Sequence, residues 1–300
     1  MSILSNLING ISLGSVYAII ALGYTMVYGI AKMLNFAHGD VIMVGAYVSF
    51  FAVGSFGLPP VVGLLLSVAV CTVLGIVIEG LAYRPLRQAP SLAVLITAIG
   101  VSYFLQNSAL LLWKSDTKIF PNFFAYTDAA GETHNSISLF GGQLTVTYVA
   151  IFTVVICIII MLGLTWFTGR TKLGKAMRAC SEDKGAAQLM GINVNRTISM
   201  TFAIGSALAG VAAVLLCSAY QTLTPTTGSM PGIKAFTAAV FGGIGSIPGA
   251  FLGGILLGVI ETFAKVFNTQ ISDAVVFAVL IIILLVKPSG LLGKTSREKV

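Results

Sequence analysis

Long apolar runs separated by short polar stretches occupy almost the whole chain. Eight runs are predicted to span a membrane, and their approximate bounds are 7–28, 41–53, 61–83, 91–113, 144–167, 197–220, 250–267 and 274–286. A ninth run, 233–247, holds only about a dozen apolar positions, too few for the ~20 residues of a helical span. The pattern predicts an all-α polytopic membrane protein with about eight transmembrane helices and one broken, half-membrane helix.

The composition supports that class. Hydrophobic residues make up 57% of the chain and charged residues 9%, whereas soluble domains carry about 25% charged residues. We therefore interpret residues 1–300 as a single transmembrane domain. The net charge of +7 does not indicate nucleic-acid binding, because the basic residues are clustered in loops between the spans.

Cysteine usage and the amino terminus add two expectations. Cys71, Cys157 and Cys217 lie in apolar runs and Cys180 lies in a charged loop; because no CxxC pair is present, neither a disulfide framework nor a metal site is indicated. The first apolar run has no basic region before it and no small-residue cleavage site. We therefore expect a first membrane span and not a removable signal.

The most informative polar segment is 169–196, GRTKLGKAMRACSEDKGAAQLMGINVNR, which holds six of the 17 Lys and Arg residues. Ser181 is a plausible N-cap, Glu182 and Asp183 suit the first turn of a helix, and Gly191 is a natural stop. These signals predict a short surface helix over 182–190. Its small apolar face would consist of Ala186, Ala187, Leu189 and Met190.

Two interpretations of this segment stay open. A basic loop between spans is retained in the cytoplasm by the positive-inside rule, whatever else it does. A merely solvated loop, however, has no need of a capped, glycine-terminated helix with an apolar face. The second interpretation is therefore that the helix docks against another protein.

Charge counting predicts the orientation. If 84–88, 169–196 and the carboxyl terminus share one side of the membrane, Lys32 lies there too, and that side collects 13 of the 17 Lys and Arg residues. We expect this side to be cytoplasmic. The amino terminus and the polar loop 114–143 would then be external, or periplasmic in a bacterium with an inner membrane.

Two interruptions of the apolar pattern are candidates for a transport pathway. The stretch 242–249, GGIGSIPG, is too rich in Gly and Pro for a regular helix, and irregular backbone at membrane depth must be buried in protein or line a cavity. A second break follows the first span, and paired broken segments point to a pathway. The candidate lining residues are Asn35, His38, Asp40, Gly242, Gly243, Gly245, Ser246 and Pro248. The alternative is that both stretches are loops at the membrane surface.

Individual ionisable residues receive more ordinary interpretations. His38 and Asp40 could form a proton relay, but they fall beside a predicted membrane edge, where solvation or helix capping is favoured. Glu261 and Lys265 are spaced i, i+4 for a pair on one helix. Because no chain of deep carboxylates is visible, the sequence argues mildly against an ion-coupled secondary carrier.

A near-match to a nucleotide-binding loop is rejected. Residues 288–295, PSGLLGKT, end like a P-loop, but Pro288 replaces the first glycine and no chain remains to build a nucleotide fold. We expect no cofactor in this chain. If transport is driven by ATP, then ATP and Mg²⁺ belong to another subunit, which would dock at 182–190.

Three stretches carry a resemblance to a known family. Residues 169–192 resemble the cytoplasmic coupling segment of bacterial ABC-importer permeases of the branched-chain amino acid family. Residues 7–48 (LINGISLGSVYAIIALGYTMVYGIAKMLNFAHGDVIMVGAYV) are similar to the start of the smaller of that system's two permeases, and 236–254 (FTAAVFGGIGSIPGAFLGG) resemble its glycine-rich segment. The resemblance implies a transport subunit of the bacterial inner membrane and not an enzyme. It also implies a second related permease, two cytoplasmic ATPases, a periplasmic binding protein, and Leu, Ile and Val as substrates.

The resemblance gives each residue of the coupling segment a role. Ala186, Leu189 and Met190 would enter an ATPase groove, with Arg178, Glu182 and Asp183 at its polar rim. Replacing Gly191 or inserting a charge at Ala187 should uncouple ATP hydrolysis from uptake. Relatives with the same motifs serve urea and short amides, so that substrate class stays open. A secondary carrier and a channel-like or structural subunit also stay open, although both leave the capped helix without a purpose.

Overall fold

Helices dominate the computed structural model, which describes residues 2–124, 126–127, 133–139 and 144–293. The helices are α1 Ser2–Ala31, α2 His38–Phe50, α3 Pro60–Ile78, α4 Ser91–Trp113, α5 Tyr148–Arg170, α6 Lys172–Glu182, α7 Lys184–Leu189, α8 Val194–Tyr220, α9 Ser229–Gly242, α10 Ile247–Phe267 and α11 Ser272–Val286. Short strands pair in antiparallel fashion: β1 Lys118–Ile119 with β6 Thr222–Leu223, β2 Tyr126–Thr127 with β3 Thr133–His134, and β4 Ser136–Leu139 with β5 Leu144–Thr147.

The membrane helices confirm the predicted fold class. Within the described ranges, seven helices are long and apolar enough to cross a membrane, when α2 is counted with the π-helical turn Phe51–Ser55 that continues it; α11 is a shorter apolar helix of 15 residues. The weak ninth run, predicted as a half-membrane helix over 233–247, overlaps the 14-residue α9, but α9 ends at Gly242 and Ile247 already begins α10. Another predicted boundary is also wrong. The fifth span starts at Tyr148 and not at 144, because 144–147 pairs as β5 and Thr147 accepts a hydrogen bond from Ala150 as the N-cap.

Helix α1 is the centre of the bundle. Its residues from Ser15 to Val27 are buried, and it packs against α8, α9 and α10. Small residues permit the close approach: a Cβ on Gly14 would meet the backbone of Gly254 and Ile255 at 2.7–2.8 Å. This close packing of small residues is the usual means of helix association in lipid.

Several loops gather at one end of the bundle, which we call the basic end: 32–37, 84–90, 171–193, 243–246 and 287–293. Lys184 donates a hydrogen bond to the carbonyl of Ala31, Arg87 contacts Asn195, and Leu291 donates to the carbonyl of Phe241. The β-pairs, including β6 at 222–223, lie at the opposite end, together with the start of α1. The predicted basic tail 294–300 lies outside the described residues.

Candidate functional site

The segment 171–193 forms two helices in place of the predicted one. Thr171 caps α6, its Oγ1 accepting from the Gly174 amide at 2.9 Å, and α6 continues through Ser181 to Glu182. The prediction that Ser181 is the N-cap is therefore wrong, since its Oγ donates to the Arg178 carbonyl inside α6. The helix that follows, α7, spans only 184–189.

Asp183 supplies the break between α6 and α7. Its Oδ1 accepts from the amides of Gly185 at 2.7 Å and Ala186 at 3.0 Å, which satisfies the first free N–H groups of α7. Gly191 ends the turn with φ +81°, as its predicted role as a stop requires. The sequence therefore predicted a capped start and a glycine stop for this helix, but the helix begins at 184 and not at 182.

The faces of α7 are distinct. Ala187 is 3% exposed and packs in an apolar cluster with Met26, Ile30, Met177 and Cys180. Leu189 and Met190 are 90% and 82% exposed, and Ala186, Glu182 and Arg178 are also on the surface. The protein therefore anchors α7 through one small residue and presents an apolar pair outward.

A hydrogen bond from a partly buried lysine links α7 to the end of α1. The Nζ of Lys184 donates to the Ala31 carbonyl at 2.9 Å. Burial lowers the pKa of Lys184, and the nearby charge of Arg87 lowers it further. Burial also raises the pKa of the Cys180 thiol on the neighbouring helix, so this cysteine is a poor nucleophile.

The break after α1 carries the chain back into the protein. Lys32 adopts a left-handed conformation (φ +58°), and α2 then begins at His38, whose ring lies 4.7 Å from that of Tyr24. Helix α9 begins beside it, because Gly39 faces the backbone of Gly228 and Gly232. The first turns of α2 and α9 thus meet inside the bundle and not at its surface.

Polar side chains gather at this junction. Asn35, His38 and Asp40 are 3%, 1% and 2% exposed. The Nε2 of Gln106 donates to Asp40 Oδ1 at 2.9 Å and lies 3.2 Å from Ser229 Oγ, which links α2, α4 and α9. Asn35 accepts from the Tyr83 hydroxyl at 3.0 Å.

The favoured interpretation of His38 and Asp40 as solvated or capping residues is wrong. Both are buried, and the N-cap of α2 is Ala37, which makes no side-chain cap hydrogen bond. The apolar pattern could not show this, since it records how polar a stretch is but not that the chain turns back into the bundle.

The glycine-rich stretch 242–249 lies at the basic end, away from that junction. Gly243 and Gly245 take positive φ values of +105° and +95°. Ser246 accepts from the Gly249 amide at 3.2 Å as the N-cap of α10, and Pro248 lies in the first turn. The amide of Leu292 donates to the Gly242 carbonyl at 2.9 Å, so the segment after α11 covers the stretch.

His38 and Asp40 lie at the junction of α2 and α9, whereas Asn35 lies close to the glycine-rich stretch, since Asn35 and Ile244 border the same small gap. Aromatic and aliphatic side chains line this gap and leave no room for a water molecule. These side chains include Tyr24, Tyr28, Met33, Leu34, Phe236 and Ile244, and we call them the apolar layer. Asn35 lies at its edge.

A buried charged cluster was missed by sequence reasoning. The predicted pair of Glu261 with Lys265 is confirmed at 2.7 Å, but Glu261 is also bound by Lys234 at 2.9 Å and by the Tyr17 hydroxyl at 2.9 Å. Lys234 in turn contacts Asp273 at 2.6 Å. The available signal was one lysine in an otherwise apolar half-helix, which requires a buried partner.

This cluster borders a cavity of about 330 Å³ toward the end opposite the basic end. The charged and tyrosine side chains of Tyr17, Lys234, Glu261 and Lys265 line it together with other aromatic, methionine and threonine side chains. One of the methionines is Met230 in the first turn of α9, so the cavity extends to the start of that helix. Within the described part of the chain, no group of three or more His, Cys, Asp or Glu residues is placed to hold a metal ion.

Comparison with known proteins identifies the family. A family model for the permease component of the branched-chain amino acid transport system matches residues 6–284. The high-affinity branched-chain amino acid transport system permease BraD of Pseudomonas aeruginosa is 48% identical over 99% of this chain and 98% of its own. LivH of Escherichia coli, of the same description, is 44% identical over 99% and 97%, and a probable LivH of Methanocaldococcus jannaschii is 32% identical over 92% and 88%. This chain belongs to the family of branched-chain amino acid transport system permeases.

Proposed function

We propose that this chain is a permease subunit of an ATP-driven, binding-protein-dependent importer of the branched-chain amino acids Leu, Ile and Val. The observation that carries the proposal is the match over nearly the full length to permeases named for this transport, at 44–48% identity. Because urea and amide permeases share the motifs noted in the sequence, those substrates are the alternative to be tested.

The proposed assembly contains a second related permease, two cytoplasmic ATPases that hold ATP and Mg²⁺, and a periplasmic binding protein. Helices α4 and α5 support a further membrane partner, because they carry many exposed apolar side chains, such as Leu111 at 86% and Ile159 at 62%. A second permease and lipid would share these faces.

The proposed orientation places the basic end in the cytoplasm of a bacterial inner-membrane protein. The described cations of the basic end, the last turn of α5 and the first turn of α8 support it. They are Lys32, Arg84, Arg87, Arg170, Lys172, Lys175, Arg178, Lys184, Arg196 and Lys287. The amino terminus and the β-pairs would then face the periplasm.

In the proposed coupling step, α7 transmits ATPase movement to the spans. Leu189 and Met190 are almost fully exposed and are therefore free to contact another protein. Ala186 is also on the surface beside them. Arg178, Glu182 and Asp183 border this surface. Ala187 and Gly191 act differently, since Ala187 anchors α7 in the apolar cluster and Gly191 fixes its end.

The proposed path begins in the 330 Å³ cavity and continues past the junction of α2 and α9 to the glycine-rich stretch. Lysine and glutamate side chains around the cavity would receive the carboxylate and the ammonium of a zwitterionic amino acid. The apolar layer would close the path to the cytoplasm in this conformation, and separation of Tyr24 from Phe236, whose rings are 5.7 Å apart, would open it.

Reconstitution tests the proposal. The assembled transporter is placed in proteoliposomes with ATP inside and the cognate binding protein outside, and uptake of radiolabelled leucine and of urea is measured. Leucine uptake that requires both ATP and binding protein is the expected result. Urea uptake alone would replace the substrate, and uptake driven by an ion gradient without ATP would overturn the proposal.

A further inference from the structure

A cavity of about 280 Å³ at the basic end is lined by cations from separate parts of the chain. Lys32 follows the last turn of α1, Arg87 lies in the loop between α3 and α4, and Lys184 opens α7. The cavity is distinct from the charged cluster and the larger cavity around Glu261, and none of its lining residues belongs to the proposed docking pair.

Positive charge exceeds negative charge at this cavity. Glu79 and Asn195 contact Arg87, but the buried Nε of Arg87 has no hydrogen-bond partner among the described residues. Lys184 is bonded to a carbonyl group and not to a carboxylate. Burial lowers the pKa of Lys184, and the positive charges of Arg87 and Lys32, which line the same cavity, lower it further. An anion placed among these charges would offset them.

The remaining wall of the cavity also suits an anion. Ser91 begins the 23-residue α4, whose N-cap, Pro90, makes no side-chain cap hydrogen bond. The first amides of such a helix lack intrahelical acceptors, and the positive end of its dipole favours a negative group. The start of α4 and the side-chain cations thus border the same cavity, and both favour a negative group in it.

An apolar strip leads away from this charged cavity along α4. Leu92 and Ile96 lie on its surface, 65% and 60% exposed, and Leu95 forms part of the cavity wall. A cationic pocket that continues into a lipid-exposed apolar strip matches a molecule with a negative head and a hydrocarbon tail. Free phosphate and the carboxylate of a docked ATPase have no hydrocarbon tail that would contact this strip.

We propose that the cavity formed by Lys32, Arg87, Lys184 and the start of α4 binds the phosphodiester headgroup of an anionic membrane lipid, with its acyl chains along α4. Since Lys184 belongs to α7, the bound headgroup holds α7 against the end of α1. Anionic lipid thereby stabilises the docked position of the coupling segment.

Native mass spectrometry of the intact transporter, purified in neutral detergent and stripped of lipid, tests this site. Titrations use dioctanoyl phosphatidylglycerol, dioctanoyl phosphatidylcholine as the neutral lipid, and inorganic phosphate as the free anion. The variants are Lys32→Gln, Lys184→Gln and Lys184→Arg. The matched control is Lys175→Gln, which alters an exposed lysine of α6 outside the cavity.

We expect phosphatidylglycerol to bind about tenfold more tightly than phosphatidylcholine, and each Lys→Gln change in the cavity to weaken it about fivefold. Lys184→Arg should retain binding and Lys175→Gln should not alter it. Equal binding of the two lipids, an equal loss in Lys175→Gln, or displacement by inorganic phosphate at lipid-like concentrations would contradict the proposal. Binding to the isolated chain but not to the transporter with its ATPases would also overturn it, because a partner protein would then cover the cavity.

Discussion

Lys234 of the half-membrane helix α9 and Glu261 of α10 form a buried ion pair, with 2.9 Å between Nζ and Oε1. The same carboxylate also accepts from Lys265 and from the Tyr17 hydroxyl, so α1, α9 and α10 converge on it. Glu261 is fully buried whereas the side chain of Lys265 is 35% exposed. The cluster therefore links the 14-residue α9 to α1 and α10, which are both long and apolar enough to cross a membrane.

The cluster predicts a ranking of stabilities. Glu261→Gln removes the shared partner of two cations and should lower the free energy of unfolding by about 3 kcal/mol, as loss of one buried partner does. Lys265→Met removes a partly solvated charge and should cost less than about 1 kcal/mol. Thermal unfolding in detergent gives the order. A larger loss in Lys265→Met than in Glu261→Gln would show that the buried carboxylate is not the centre of the cluster.

Burial of Cys180 gives a direct probe of whether α6 and α7 are docked. Cys180 is 1% exposed in the same apolar cluster as Ala187, and burial raises the pKa of its thiol. Ala187→Asp places a charge in that cluster and should detach α7. We expect the rate at which N-ethylmaleimide labels Cys180 to rise in this variant, with Cys180→Ser in the same background as the control. An unchanged rate would contradict the anchoring role of Ala187.

The position of the cap of α7 makes a separate prediction. Asp183→Ala should cost about 1 kcal/mol of local stability, because two amides lose their acceptor. Ser181→Ala should have little effect, since Ser181 lies inside α6 and caps nothing. Hydrogen exchange at Gly185 and Ala186 distinguishes the two variants. Faster exchange in Ser181→Ala alone would restore the original placement of the cap.

The junction of α2 and α9 depends on close backbone approach. A Cβ on Gly39 would meet the Gly228 carbonyl oxygen at 2.5 Å, so Gly39→Ala must push the two helix starts apart. Gly100→Ala in α4 is the matched control, because no atom beyond its chain neighbours and the backbone of its own helix lies within 4 Å of the added methyl group. We expect Gly39→Ala to lower the unfolding temperature and leucine uptake, and Gly100→Ala to preserve both. Equal behaviour would show that the junction tolerates separation.

Apolar periodicity predicted the spans well because each is a local property of the sequence. The weak run 233–247 was also informative: its shortage of apolar residues corresponds to the 14-residue α9. The boundary at 144 failed because the apolar Leu144 and Val146 directly precede the fifth span and were counted as part of it; the β-branched residues Thr145, Val146 and Thr147 were the available signal for strand β5.

The candidate site was less predictable, since it depends on contacts between distant segments. Nothing in the sequence near Asp40 indicates that Gln106, 66 residues later, donates to it. The expectation that deep carboxylates are lacking was similarly too simple: Asp40, Glu79 and Glu261 are all buried, but Gln106, Arg87 and Lys234 respectively are bound to them. Pairing of this kind is visible only in three dimensions.

The central claim is that the exposed pair on α7 couples ATP hydrolysis to uptake. The most direct measurement records ATP hydrolysis and leucine uptake in the same proteoliposomes for wild type, Leu189→Asp and the conservative Leu189→Met. A charge at the centre of a docking surface costs about 2 kcal/mol or more, about 30-fold in affinity. We therefore predict that Leu189→Asp loses uptake and the stimulation of hydrolysis by binding protein, while Leu189→Met keeps both. Wild-type uptake per ATP hydrolysed in Leu189→Asp would contradict the claim.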